Sequence, residues 1–262
     1  MINIMNFINY RAARGAWCVA ALALMACGTK EAAGPLEPTG PTGRVRFVNL
    51  ITDPTRNPVN AILEKVPFGV NLGYTSATPS SLPAPNTAIY SAIYAGDRSL
   101  VLKKTADTTV TVANFTVNIA ANTDVTVWAT GGTAGAAVSQ FLTTDNNTTV
   151  ASGTTRLRIV NMSPAAGSVD LFITAPNADL STATPVASGV TVQGSSAYIT
   201  TVVPGTYQVR AVPAGTAPAN RGSSVVANIA SLALASGAAR TIVIADKAAG
   251  GSPSTAFVLT DQ

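Results

Sequence analysis

No histidine occurs among the 262 residues, so neither a Ser-His-Asp nor a Cys-His arrangement can be assembled, and histidine zinc sites are excluded as well. No Ser-x-x-Lys run is present, nor are the glycine patterns that cradle phosphates. A glycosidase needs two placed carboxylates. Glu64 is the one glutamate beyond the first 43 residues, and most aspartates stand in turns, where Asp bonds to its own backbone. Asp145, Asn146 and Asn147 offer oxygens at a strand end without the spacing of a calcium loop. The expectation is a protein that is not an enzyme, with no catalytic residue, metal or cofactor. Two cysteines remain, Cys18 and Cys27, and the second stands in a telling place.

Arg11 and Arg14 precede an apolar run from Trp17 to Met25, too short for the roughly 20 residues of a membrane span. The run ends Leu24-Met25-Ala26-Cys27, which resembles the lipobox of bacterial lipoproteins. That resemblance implies cleavage before Cys27, acylation of its thiol and a membrane anchor, since two or more acyl chains hold stably where one does not. Gly28 follows in place of an inner-membrane retention Asp, so the resemblance implies the outer membrane, on its periplasmic or external side. Residues 1–26 are thus expected to be a signal peptide. Residues 27–43, with their prolines and glycines, read as a flexible lipid-anchored tether. Losing Arg11 and Arg14 lowers a formal charge of only +4 by two, and no basic cluster remains. Nucleic acid is not an expected partner.

The rest of the chain repeats itself. Arg44-Val45-Arg46-Phe47-Val48-Asn49-Leu50 returns as Arg156-Leu157-Arg158-Ile159-Val160-Asn161-Met162, and Thr143-Thr144-Asp145 returns as Leu259-Thr260-Asp261. Offsets of about 110–116 residues suit two domains and exceed any solenoid period. The copies are 44–146 and 156–262, joined by a polar linker over 147–155.

Within each copy the apolar period is two, with turn residues every 8–12 positions. The predicted fold is all-β: two tandem immunoglobulin-like antiparallel sandwiches, each with its own core. Arg44, Arg46, Arg156 and Arg158 alternate with apolar neighbours and are expected on solvent faces.

The segments RLRIVNMSPAAGSVDLFI, YITTVVPGTYQVRAVPAG and LASGAARTIVIAD resemble a bacterial family catalogued as domain of unknown function 4397. Asn161, Ser163, Pro164, Val169, Asp170, Gly205, Thr206 and Tyr207 carry the match, more fully than their counterparts in the first copy. The resemblance implies secreted or lipidated tandem sandwiches and brings no established activity. Asp170 is expected to make a structural hydrogen bond.

Binding is therefore sought among the aromatics. Tyr74, Tyr90 and Tyr94 cluster around a Ser- and Pro-rich stretch peculiar to the first copy, and residues 73–94 form the candidate binding segment. Trp128 falls on either the core or the outer face of its strand. A structural, adhesive or binding role toward a protein or glycan follows, the alternative being a surface carbohydrate-binding module.

Overall fold

The computed structural model describes residues 40–78 and 90–261. The expected signal peptide, Cys27, most of the expected tether and part of the Ser/Pro-rich stretch lie outside the described residues.

Among the described residues, sixteen strands form where the alternation predicts β-structure. The first half carries β1 (Thr42–Ile51), β2 (Val59–Leu63), β3 (Val66–Leu72), β4 (Ser91–Tyr94), β5 (Gly96–Lys104), β6 (Asp107–Ile119), β7 (Asp124–Gly131) and β8 (Val138–Asp145). The second carries β9 (Arg156–Met162), β10 (Val169–Thr174), β11 (Ala187–Val190), β12 (Gly194–Ser195), β13 (Gly205–Pro213), β14 (Ala227–Leu234), β15 (Ala239–Ala245) and β16 (Thr255–Thr260). Each half forms two four-stranded sheets, β4-β1-β7-β8 over β3-β2-β5-β6 and β12-β9-β15-β16 over β11-β10-β13-β14.

The sheets are not antiparallel throughout. β1 lies parallel to β7, and β9 parallel to β15. Six reversals separate β1 from β7 in the first half, so the two run the same way and can pair only in parallel.

Each sandwich buries the inner faces of its own strands. Val45, Phe47, Val125 and Val127 pack with Ala61, Leu100 and Leu102 in the first half. Leu157, Ile159, Ile242 and Ile244 pack with Leu171, Val209 and Ala211 in the second. A third cluster belongs to both. Val48, Leu50 and Trp128 from β1 and β7 meet Val160, Met162, Val243 and Ala245 from β9 and β15. The order of layers is therefore sheet, core, sheet, seam, sheet, core, sheet, and Gly40–Gln262 forms one compact unit.

This seam corrects the reading of the arginines. Only Arg44 keeps a side chain in solvent, 53% exposed beside Asp124. Arg46, Arg156 and Arg158 are buried. The alternation separates two faces of each strand correctly, but the second face is covered by the other sandwich rather than by water. Strands buried on both faces read as nearly continuous apolar runs, and Val48 and Leu50 beside Phe47 and Ile51 show that pattern.

The chain enters at Thr42, at the end where residues 146–155 cross and where Asp261 closes the fold. The β1–β2, β7–β8, β9–β10 and β15–β16 connections gather at the opposite end. There Ala249 N–H donates to the Thr52 carbonyl (2.9 Å) across the seam. Gly250, at φ +84°, lies so close to Thr133 that a Cβ would come within 2.8 Å of its Oγ1. Only glycine fits that approach.

Candidate functional site along the seam

The charged part of the seam is built twice. On β1, Arg46 points outward and donates from NH2 to Asp261 Oδ1 (2.9 Å), from NH1 to the Thr260 carbonyl (2.8 Å) and from Nε to Thr126 Oγ1 (3.0 Å). On β9, Arg158 donates from NH2 to Asp145 Oδ1 (2.6 Å), from NH1 to the Thr144 carbonyl (3.2 Å) and to Thr241 Oγ1 (3.2 Å). Thr126 stands opposite Arg46 in the ladder, as Thr241 stands opposite Arg158. Each threonine in turn donates to the aspartate of its own half, Thr126 to Asp145 and Thr241 to Asp261. A tyrosine covers each guanidinium: Tyr90 4.8 Å from Arg46, Tyr198 5.2 Å from Arg158. Each arginine thus reaches the terminal strand of the other half, and each aspartate receives the other half's arginine; Arg46 NH2 also stands 3.9 Å from Asp145 Oδ2 of its own half.

Four charges with exposures of 2% or less must be neutralised locally, because a buried lone charge is far costlier than a pair. Burial pushes the Arg158 guanidinium down, and the adjoining Asp145 carboxylate more than offsets that, holding it above its ordinary value. The arrangement is a two-plus, two-minus lock. It leaves no acid or base open to a substrate.

The aromatic candidates divide by position. Trp128 is fully buried in the seam, its Nε1 donating to Thr143 Oγ1 (3.1 Å), so it cannot meet a ligand. Tyr90 is 8% exposed and donates to Asp145 Oδ2 (2.8 Å). Tyr94, at 40% exposure, is the open one, at the chain-entry end. Tyr74 bridges the halves by donating to the Asp246 carbonyl, and it also lines a cleft of about 360 Å³ at the opposite end. Pro54, Pro58, Asn57, Ala248 and Ala249 are among the residues that line that cleft.

The candidate segment 73–94 is accordingly not one loop. Thr75 to Thr78 pair with β1: Asn49 N–H donates to the Ser76 carbonyl, Thr78 N–H to that of Phe47, and Val48 faces Ala77. Residues 79–89 lie outside the described part.

The residues that carry the family match are bound up in local structure. Asn161 donates to the Gly167 and Val190 carbonyls and accepts from Ser163 N–H, and Asn49 does the same work toward Leu72 and Gly73. Ser163 donates to Asp246 (2.6 Å). Asp170 accepts from Gly189 N–H (2.8 Å) and Gly215 N–H (3.3 Å), a structural role as expected. Among the described residues no three metal-ligating side chains converge.

Sequence reasoning passed over Tyr198 and weighed Asp145 only as an oxygen donor at a strand end. The signal was present: the Arg-x-Arg opening and the Asp ending recur together in both copies.

Burial raises the phenols of Tyr74, Tyr90 and Tyr198. A group whose folded value is raised contributes stability below its unfolded value, near 10 for tyrosine, and loses it above. Unfolding free energy should therefore decline above about pH 10, and a Tyr74→Phe/Tyr90→Phe variant should decline less steeply in alkaline denaturant titrations. Equal slopes would refute the assignment.

No curated protein matches the chain. A solved structure described as "Alpha-glucan recognition by family 41 carbohydrate-binding modules from streptococcal virulence factors" is similar at 9% identity and TM-score 0.25, over 82% of this chain and 96% of that one. At that similarity it carries nothing about this chain's ligand. The family described as Domain of unknown function (DUF4397) matches residues 43–172, the whole first sandwich together with β9 and the start of β10. The match is thus anchored on the first copy and crosses residues 147–155, whereas the motif residues were fuller in the second. Residues 43–172 of this chain match the DUF4397 family model, the family that the sequence resembles.

Proposed function

We infer that the chain is a non-enzymatic, lipid-anchored protein of the cell envelope whose two sandwiches act as one block, with a structural, adhesive or binding role. The observation that supports this most is the seam. A buried reciprocal charge lock and a shared apolar cluster hold the sandwiches together, so loops of both halves form a single surface at the end opposite chain entry. The charged groups of the seam are occupied in holding the halves together, which fits scaffolding better than catalysis.

A surface carbohydrate-binding module is the second reading. The 360 Å³ cleft favours it, because its walls set the Tyr74 ring beside two prolines and uncharged polar groups. Sugars commonly meet such neutral aromatic surfaces.

Two measurements test these readings. Cys27→Ala should remove lipid labelling and move the protein from the detergent phase to the aqueous phase; unchanged partitioning would defeat the anchor. Ala248→Trp fills the cleft. If the protein retains a glycan or protein from envelope extracts, that variant should weaken retention at least tenfold, about 1.4 kcal/mol, with its melting curve preserved. Undiminished binding by a folded variant would place the site elsewhere, and a glycan array separates the two ligand classes.

A further inference from the structure

We propose that a second copy of this chain is a partner for the seam: two chains pair by exchanging halves, the first half of each packing on the second half of the other.

The seam has the pattern of a two-fold interface made within one chain. In such an interface, if one residue contacts a second across the boundary, the symmetry mate of the second contacts the mate of the first. Here Arg46 meets Asp261 and Arg158 meets Asp145, with Arg46 matching Arg158 and Asp145 matching Asp261 in the repeat. The pattern extends to Thr126 and Thr241, to Tyr90 and Tyr198, and to the apolar pairs Val48–Leu50 and Val160–Met162. None of these contacts depends on the two halves sharing a backbone. A first half from one chain would make the same contacts with the second half of another.

Connectivity alone selects the closed form, and it passes through residues 146–155. That joint is pinned at two places. Asn147 donates to Asp124 of the first half (2.6 Å) and Thr148 accepts from Arg156 (2.9 Å). Gly153 N–H donates to Ser236 Oγ of the second half (2.7 Å). Arg156 belongs to β9, so the hold passes from the first half to the second between Asn147 and Thr148, and that is where the joint hinges. A short joint holds the halves at an effective concentration on the order of millimolar, so the closed chain prevails in dilute solution. Crowding many chains on one surface, or weakening closure, favours exchange.

The test makes exchange restore what closure cannot. Arg46→Met and Asp261→Asn are prepared in separate full-length chains. Closed, the Arg46→Met chain leaves Asp261 without its ion-pair partner, and the Asp261→Asn chain leaves Arg46 with only Asp145, at 3.9 Å. Exchanged, the mixed pair has one native Arg46–Asp261 seam and one neutral seam that lacks both charges. The two proteins are unfolded together, refolded and weighed by light scattering. A 1:1 dimer is expected, at least tenfold more abundant than dimers of either variant alone. The Arg46→Met/Asp261→Asn chain serves as control and should refold as a monomer. A mixture that yields only the two monomers, beside a folded control, overturns the proposal.

If the control does not fold, a chain lacking residues 147–153 decides. Three residues then remain between Asp145 and Arg156, and they must both reverse the chain and cross the roughly 10 Å between stacked sheets. A dimer is expected; a folded monomer, or a chain that cannot fold in either form, overturns the proposal.

Discussion

Replacing Arg158 with methionine lowers the unfolding free energy by about 3–5 kcal/mol, because it leaves Asp145 buried without its main counter-charge. For a unit of this size each kcal/mol moves the melting temperature by about 2–4 °C, so the midpoint falls by on the order of 10 °C. The companion Asp145→Asn strands the guanidinium and is comparably damaging. Their combination is not the sum. With both charges removed, the pocket keeps Tyr90, Thr126 and Thr143 as partners for the asparagine, and no lone ion remains. The double variant should recover at least half of the single losses, giving a coupling energy of about 2 kcal/mol or more in a denaturant double-mutant cycle. Additive losses would mean that the two side chains do not act as a pair. An exposed pair would show coupling of at most about 1 kcal/mol, so the cycle also measures how dry the seam is.

The same pair shows where the sequence is readable and where it is not. Period-two alternation assigns Val45, Phe47, Leu157 and Ile159 to one face, and those residues do line the two sandwich cores. The recurrence of Arg-x-Arg and of the closing Asp marks equivalent places in the two halves. Strand alternation, however, identifies which residues share a face and is silent on what covers it. Arg46 and Arg158 look solvated because arginine is almost never fully buried unless paired. The partners here come from positions 215 and 13 residues away, Asp261 and Asp145, beyond the reach of any local pattern. Tyr90 and Tyr198 were opaque for the same reason: each is fixed by a charge on a distant strand. Tyr74 was legible as a residue apart from the repeat, but its place at the far-end cleft depends on Ala248 and Ala249 of the other half.

Trp128 is the residue on which the seam's apolar half depends, and Trp128→Ala should cost about 3–5 kcal/mol. On β7 it stands opposite Val48 of β1 and Phe141 of β8, so its ring lies on the outer face of its own sheet. That face meets Val160, Met162 and Val243 of the second half. Alanine would leave a void between two rigid sheets, each held from behind by its own packed core, and neither can move in to fill it without disturbing that core. The indole N–H would also leave Thr143 Oγ1 without its donor, although that hydroxyl retains Asp145. Because the cavity falls between the halves and not within one, the loss should appear as weakened coupling as well as a lower midpoint. Calorimetry should resolve one transition in the native chain and two in the variant, one for each sandwich. Trp128→Phe, which keeps most of the ring volume, should retain the single transition. If Trp128 lay on a solvent face or served a ligand, alanine would shift stability by no more than about 0.5 kcal/mol and leave the transition single. Burial at 0% exposure against the opposing sheet requires the larger effect.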